Sequence, residues 1–436
     1  MTERRVIAHV LRRLTPGPTA ADIDLGVARG LDATVRQVLA PVPPPALPQL
    51  GPAAEAALPK GATKEAKQQA RQQMAAQVAE ATWWWISRLV TTGSSGAEKL
   101  TFFWHGHWAT SVQKVRSAGL MLAQQQAFRR YGTGASGPLV RAMLRDPALI
   151  IWLDGQRNTR KAPNENLARE VMELFTLGVG NYSEDDVKAA AKVLTGWQVD
   201  RSAGTARLVA GRHDTAPVSL LGATGVFGVD EFADLLVRHP AHVPFLASRV
   251  WARYGSGDPV PAELSAILPA GDPAPESTGT DGNVVAMLRA LAVHEAFPAT
   301  AGHLVKQPIE WVVGAVRQLA VPDLAKARKP VLAALHALGQ VPFRPPSVGG
   351  WPAGQAWLTT AAAQARLRSG QALVALAPDT VQKVAQAPAG ERLDAVARLL
   401  AVDGWTDRTA AVLKPVAAAP PRLLALALAT PEYTVH

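Results

Sequence analysis

Residues 163–180 have the sequence PNENLAREVMELFTLGVG, and this stretch predicts a helical fold. At 100° per residue, Leu167, Val171 and Phe175 share one face of a helix, which is the pattern of a buried stripe. The proline at the start suits a first helical turn, and the glycines at the end suit a left-handed cap. We therefore expect a helix over residues 163–177 that packs one face into a core.

The same Ala-rich and Leu-rich character extends along the chain of 436 residues, of which 48% are hydrophobic and 18% charged. This composition predicts a mainly α fold, a multi-helical globular body with at most a small β-hairpin near residues 198–210. We divide the chain into three regions. Residues 1–92 form an N-terminal helical region with a Pro-rich connection, residues 93–370 a main helical body with the polar motifs, and residues 371–436 C-terminal helices that pack on the body.

Charge and composition exclude several classes of function. The formal net charge is +10, but the basic residues are spread out and are not interleaved with aromatic residues, so we expect no dedicated nucleic-acid binding. The chain has no cysteine, which excludes disulfides and thiolate nucleophiles. No apolar stretch approaches the roughly 20 residues of a transmembrane helix. The N-terminal sequence MTERRVIAHVLRRL lacks the apolar segment of a signal peptide, which predicts a cytoplasmic location.

Polar side chains lie on the flank beside the apolar stripe. Asn166, Glu170 and Glu173 share this flank, where partial burial shifts the pKa of a carboxylate in the way that acid/base or metal chemistry requires. We interpret Glu170 and Glu173 as catalytic candidates, and Asn164, Asn166 and Arg169 as substrate-binding candidates. The alternative is a solvated first turn whose acidic residues interact with the helix dipole.

A second polar motif is WHGHW at residues 104–108. We expect Gly106 to end a helix, so that the imidazoles of His105 and His107 converge. Neutral imidazole is a common metal ligand and a general base near neutral pH. Both histidines are catalytic candidates, and together with Glu170 they are candidate ligands of a divalent metal such as zinc, iron or manganese. The alternative is a pair of packed, hydrogen-bonded histidines.

Three shorter motifs complete the candidate site. A His-Asp pair follows the predicted hairpin, KQPIEW begins a helix, and PPSVGGWPAGQAW is a loop with two tryptophans that can serve as flat platforms for sugar rings. Turn formation and helix capping are the structural alternatives for the first two. The substrate-binding candidates from these motifs are His213, Asp214, Lys306, Glu310, Trp351 and Trp357.

Five segments together resemble a bacterial family known as domain of unknown function 1800. They are FFWHGHWATS, PNENLAREVMELFTLGVGNYSEDDVKAAAKVLTGW, HDTAPVSLLG, VKQPIEWVVGAVR and PPSVGGWPAGQAW, in the family's order. The resemblance extends from about Val6 to Ala365. It implies export, frequently through a twin-arginine signal, and a sulfatase-like protein partner. It implies no catalytic assignment.

We expect the polar motifs to meet in one cleft. The favoured function is hydrolysis of a carbohydrate or other polar polymer, because paired carboxylates and aromatic platforms are what glycoside hydrolysis uses. One alternative is a metal-dependent oxidoreductase or hydrolase that uses His and Glu ligands. Another is a non-enzymatic binding or assembly protein, in which the polar motifs are buried networks that hold helices together.

Overall fold

The computed structural model describes residues 2–51, 61–93, 95–266 and 282–436. The described chain is mainly α-helical, as the sequence predicts, and its β-structure consists of two short hairpins. Among the described residues, none of the helices combines the length and the apolar character that crossing a bilayer requires.

The described residues before position 94 form α1 (Glu3–Leu14), α2 (Ala20–Arg29), α3 (Leu31–Val38) and α4 (Lys64–Thr91). Thr19 and Asp22 form a capping box at the start of α2, in which each side chain accepts a hydrogen bond from the other residue's N–H. Thr63 caps α4 by accepting a hydrogen bond from the backbone of its third residue. The second half of α4 buries Trp85 and Ile86 in the core.

The middle of the described chain contains two π-helical segments. Val171–Thr176 directly continues α10 (Asn166–Glu170), and Trp251–Gly255 directly continues α13 (His242–Val250). Such segments are rare and frequently lie at functional sites. The α-helices of this part are α5 (Ser95–His107), α6 (Val112–Val115), α7 (Ala118–Tyr131), α8 (Ser136–Leu144), α9 (Pro147–Trp152), α10 (Asn166–Glu170), α11 (Glu184–Val193), α12 (Val229–Arg238), α13 (His242–Val250), α14 (Ala262–Ser265), α15 (Val284–Val293) and α16 (Pro308–Gln318).

The last part of the chain is a set of packed helices in which α18 (Thr360–Val374) contacts both α17 (Leu324–Ala337) and α22 (Pro420–Ala427). A Cβ atom on Gly370 of α18 would lie 3.2 Å from the carbonyl oxygen of Ala425, so a glycine permits this close approach. The helices are α17 (Leu324–Ala337), α18 (Thr360–Val374), α19 (Pro378–Gln386), α20 (Arg392–Leu399), α21 (Asp407–Leu413), α22 (Pro420–Ala427) and α23 (Pro431–Thr434). Single 3₁₀ turns occur at Gly155–Arg157, Ala210–Arg212, Phe297–Thr300, Gly354–Trp357 and Lys414–Val416.

The predicted hairpin near residues 198–210 is present, and a second hairpin follows it. Strand β1 (Trp197–Asp200) pairs antiparallel with β2 (Thr205–Leu208), and β3 (Val218–Leu220) pairs with β4 (Ala223–Gly225). The second hairpin was missed because strands of three residues are too short to show an alternating pattern. Its turn, Leu221-Gly222, has positive φ at both residues (50° and 81°), as a tight two-residue hairpin requires.

Two large hydrophobic cores hold the helices together. One core contains Trp108 and Phe175, and the other contains Val78, Trp311 and Tyr433. Full burial of each large side chain contributes roughly 1.5–3 kcal/mol. The second core takes residues from all three predicted regions of the chain, so these regions pack against one another. The proposed boundaries themselves stay a prediction.

The helix predicted over residues 163–177 begins later than expected and changes its winding. Asn164 Oδ1 accepts a hydrogen bond from the N–H of Asn166, which is a local turn that delays the helix start to residue 166. From Val171 onwards the winding is π-helical, and the N–H of Leu177 donates to the carbonyl of Met172 at 2.8 Å. The apolar periodicity of the sequence predicted the position of the helix. Six residues are too few for this periodicity to distinguish π-helical from α-helical winding.

A polar network is buried between α7 and α9. Asp146 caps α9 by accepting a hydrogen bond from the N–H of Leu149, and it accepts a second from Gln124 Nε2, both at 2.8 Å. Gln124 Oε1 in turn accepts from the hydroxyl of Thr110. Burial raises the pKa of Asp146 to about 7, because these neutral donors only partly replace the water lost by the carboxylate.

Candidate functional site

Helix α5 carries the histidine motif and continues through Gly106 to His107. The prediction that Gly106 ends the helix is therefore wrong. Residues two apart on a helix point about 200° apart, so the imidazoles of His105 and His107 diverge. The close approach requires glycine at position 350: a Cβ there would lie 2.5 Å from the carbonyl oxygen of Gly106, so the loop around Gly350 packs directly on α5.

His105 is enclosed by aromatic rings. Its ring centroid lies 5.4 Å from that of Trp85 and 5.3 Å from that of Trp351. Nε2 accepts a hydrogen bond from the N–H of Phe343 at 3.0 Å, which fixes the neutral tautomer with the proton on Nδ1. Burial lowers the pKa of His105 to about 3. His105 is therefore a neutral packing residue that anchors the loop containing Phe343.

His107 contacts the first π-helix. Its Nε2 donates a hydrogen bond to the carbonyl oxygen of Phe175 at 2.9 Å. The other ring nitrogen, Nδ1, is then a lone-pair acceptor, and it has no partner among the described residues. Burial, followed by the charge of Arg249, lowers the pKa of His107 to about 3. The imidazole therefore stays neutral and offers one unused acceptor.

His107 lines a cavity of about 150 Å³. We call it the arginine cavity because Arg249 and Arg253 also line it. The indole of Trp351 stacks on the ring of Phe102 with an interplanar angle of 18°, and together they form one apolar wall. The indole N–H of Trp351 has no acceptor within the described chain. The residues that line the cavity include Phe102, His107, Arg249, Arg253, Gln307 and Trp351.

The arginine cavity is positively charged. Arg249 makes no hydrogen bond or ion pair with the residues that the structure describes, and its side chain is exposed to the cavity side of α13. Arg253 follows one turn later, in the second π-helix, and donates to Glu310 Oε1 at 3.0 Å. None of the described residues that line the cavity is acidic. The arrangement favours an anionic ligand.

Beneath the cavity, Glu310 is the centre of a buried ionic cluster. Its Oε1 lies 2.5 Å from Lys99 Nζ as well as 3.0 Å from the guanidinium of Arg253. Burial alone raises the pKa of Glu310, but Arg253 and Lys99 outweigh it and hold the pKa at about 2. The carboxylate is ionised and is shared between Lys99 and Arg253, and Arg253 also lines the cavity. Lys306, a substrate-binding candidate, is buried, and its Nζ lies 3.8 Å from the ring centroid of Tyr433.

The carboxylates Glu170 and Glu173 do not line the arginine cavity. Glu173 accepts a hydrogen bond from the hydroxyl of Tyr182 at 2.7 Å. Glu170 is half-buried and makes no hydrogen bond or ion pair with any other described residue. Burial, followed by the charge of Glu173, raises the pKa of Glu170, and Arg169 partly opposes the shift. The carboxylate pair is thus a second candidate site, separate from the histidines.

A comparison with protein families matches residues 9–435 to the family described as protein of unknown function DUF1800. The chain belongs to the DUF1800 family. Comparison with curated proteins and with solved structures finds no match. The family assignment agrees with the resemblance of the sequence motifs and assigns no activity.

The other candidates of this DUF1800 chain make local structural contacts. Arg169 forms ion pairs with Glu165 and Glu184. His213 Nδ1 donates to the carbonyl of Thr195, and Asp214 forms a turn by accepting from the N–H of Ala216. Asn166 Nδ2 donates to the carbonyl of Leu153, and Asn164 makes the turn described above. Trp357 is buried, and its carbonyl accepts from Arg366.

The metal-ligand candidates do not come together. Within the described ranges, no three His, Asp or Glu side chains are placed to hold one ion. Nε2 of His105 is bonded to the backbone of Phe343, Nε2 of His107 to the backbone of Phe175, and Glu170 lies outside the arginine cavity. Of the candidates, His107 and Trp351 line the arginine cavity, and Glu310 is connected to it by its ion pair with Arg253. The other candidates lie outside the cavity.

Sequence reasoning missed the two arginines of the cavity. Arg249 and Arg253 are four residues apart, a spacing that places side chains on neighbouring positions of one helix face. That spacing was an available signal, but pairs of arginines four apart are common on solvated surfaces. The absence of an acidic partner for Arg249 is visible only in three dimensions. Lys99 was missed because a lysine next to an apolar run gives no indication that it is buried.

Proposed function

We propose that the protein binds an acidic sugar unit of a carbohydrate in the arginine cavity. The observation that carries this proposal is the unpaired guanidinium of Arg249, next to Arg253, in a cavity with no acidic lining residue among those described. Arginine recognises carboxylate, sulfate or phosphate oxygens through charge-assisted hydrogen bonds. The anionic group of the ligand would therefore lie against Arg249.

The shape and the wall of the cavity support a ring-bearing ligand. The volume of about 150 Å³ equals that of roughly five liquid waters, which suits one ring with its substituents. The half-buried indole of Trp351, held by its stacking on Phe102, forms an apolar wall of the cavity, and tryptophan faces bind the apolar side of sugar rings.

The unused polar atoms support a hydroxylated ligand. His107 Nδ1 needs a donor, and the indole N–H of Trp351 needs an acceptor. A buried polar atom without a partner costs roughly 1–3 kcal/mol, and a ligand hydroxyl that reaches either atom would recover that cost. Sugar hydroxyl groups donate and accept, and an acidic sugar combines them with the anion that the arginines favour.

The first prediction concerns Arg249→Gln. We expect this substitution to weaken binding of a galacturonic acid trisaccharide by about 10- to 100-fold, because it removes one charge-assisted contact. Isothermal titration calorimetry measures the affinity. The fully methyl-esterified trisaccharide, which keeps the rings and loses the charge, should bind the wild-type protein weakly and should not distinguish the variant.

The control variant is Arg408→Gln, which removes the same charge from an exposed arginine with no ion pair in the described chain. It should leave the affinity for the trisaccharide unchanged. Equal affinities of the wild-type protein and Arg249→Gln, or equal losses in the two variants, would contradict binding in the arginine cavity.

A second candidate function is hydrolysis of a polar polymer at the carboxylate pair. The specific observation is Glu170, whose carboxylate is half-buried, unpaired among the described residues and raised in pKa. A carboxyl group with a raised pKa can act as a general acid closer to neutral pH. Glu170 and Glu173 lie on the same side of one continuous helix. Glu173 would therefore bind the substrate or a water molecule next to Glu170.

The second prediction concerns Glu170→Gln. If the protein hydrolyses polygalacturonate, this substitution should lower the rate of reducing-end release by about 100-fold or more, which is the usual contribution of a general acid. The control, Glu165→Gln, changes a carboxylate already paired with Arg169 and should retain the rate. No detectable release by the wild-type protein, or equal rates in the two variants, would contradict this function.

The family resemblance supports two further proposals about context. Export and a sulfatase-like protein partner are both implied by the resemblance, and a partner that acts on sulfate esters fits an anionic carbohydrate ligand.

A further inference from the structure

A strongly basic surface lies outside the arginine cavity, on three segments that pack together. The segments 112–116, 152–162 and 197–212 contain eight basic residues and two acidic ones, Asp154 and Asp200. More than half of the net charge of the chain is therefore concentrated in these segments. We define the basic surface by Lys114, Arg157, Arg160, Lys161, Arg207 and Arg212.

Direct contacts join the three segments. Lys114 Nζ donates to the carbonyl of Trp152 and to Asp154 Oδ2, both at 2.7 Å. The N–H of Arg160 donates to the carbonyl of Arg212, and Arg212 Nη2 donates to the carbonyl of Gln156. The segments that carry the basic side chains are thus held together by these contacts and are part of the folded body of the protein.

Most of these cations lack an acidic partner. Arg160, Lys161 and Arg207 are exposed and form no ion pair within the described chain. Arg157 is 80% exposed, and its nearest carboxylate, Asp154, is 3.9 Å away. Asp154 is already hydrogen-bonded to Lys114, and Asp200 Oδ1 accepts from the N–H groups of its own turn. The surface has an excess of positive charge that no described residue neutralises.

We propose that the basic surface binds the chain of an acidic polysaccharide. The inference rests on the proposed function, because the acidic sugar of the arginine cavity identifies the polymer as a carbohydrate. Of the aromatic residues in these segments, Trp197 is buried and Trp152 is half-buried with Lys114 Nζ 6.0 Å from its ring centroid, so the segments offer no row of exposed rings for the base stacking on which single-stranded nucleic acid binding relies. Leu208 is an exposed apolar residue of these segments, which is too little to insert into a bilayer.

The test compares a long and a short ligand on two matched variants. The first variant combines Arg157→Gln, Arg160→Gln, Lys161→Gln and Arg207→Gln. The control removes the same charge from exposed residues elsewhere through Lys64→Gln, Lys67→Gln, Arg71→Gln and Arg408→Gln. Affinities for polygalacturonate of about twenty units, for the galacturonic acid trisaccharide and for duplex DNA are measured by calorimetry at two salt concentrations.

We expect the first variant to lose about tenfold or more in affinity for the long polymer and none for the trisaccharide, while the control retains both. Equal losses in the two variants would overturn the proposal, since net charge alone would then explain binding. Wild-type affinity for duplex DNA equal to that for polygalacturonate would also overturn it. If the trisaccharide fails to bind the wild-type protein, the proposed function fails, and the variants still report whether the basic surface holds a polymer.

Discussion

Replacing Glu310 by glutamine is expected to lower the free energy of unfolding by about 3–5 kcal/mol, which is the usual cost of removing one partner from a buried ion pair. The carboxylate is 2% exposed and pairs with Arg253 and Lys99, so its loss leaves the guanidinium of Arg253 without its counter-charge and further lowers the pKa of Lys99, which burial already lowers to about 7. Denaturant-induced unfolding at neutral pH measures the change.

The matched control for this prediction is Glu80→Gln. Glu80 forms an ion pair with Arg328 on the surface, with half of its side chain exposed. Solvent screening makes such a pair weak, so its removal should change the stability far less. Equal effects of the two substitutions would show that the Glu310 cluster does not stabilise the fold in the way described.

Replacing Asp146 by asparagine is expected to change how stability depends on pH. The folded state raises the pKa of Asp146 from 3.8 to about 7, so this group's contribution to stability is present below pH 4 and is lost as the pH rises towards 7. Asparagine can cap α9 but does not ionise. The variant should therefore gain stability relative to the wild-type protein between pH 4 and pH 8, by about 4 kcal/mol at most.

Thermal or denaturant unfolding of both proteins across this pH range checks the prediction. The informative quantity is the difference between the two proteins at each pH, because it cancels the titration of all other groups. A difference that stays constant from pH 4 to pH 8 would contradict the raised pKa of Asp146. A difference that decreases with pH would contradict its sign.

The fold was predictable because helical periodicity and capping are local. The apolar stripe of residues 163–177 located a buried helix, and the hairpin near residues 198–210 was correctly placed. The π-helical winding from Val171 was not predictable from local periodicity, and the side chains that donate hydrogen bonds to the carbonyls of Phe175 and Thr176 were not predictable either. Those partners, His107 and His242, are distant in sequence.

The candidate site was predictable only in part. His107 and Trp351 were selected for their chemistry, and the structure places both at the arginine cavity. The charge of the cavity was not foreseen, because it depends on Arg249 having no ion pair among the described residues, while the buried Glu310 pairs with Lys99 and Arg253. Pairing of charges between distant segments is a property of packing, and a single sequence does not encode it in any local pattern.

The most direct test of the central claim is a crystal structure of the protein soaked with the galacturonic acid trisaccharide. We expect one sugar ring on the face of Trp351, with its carboxylate hydrogen-bonded to Arg249 and a hydroxyl donating to His107 Nδ1. A trisaccharide bound only at Glu170 and Glu173, or an arginine cavity without ligand at a saturating concentration, would contradict the account.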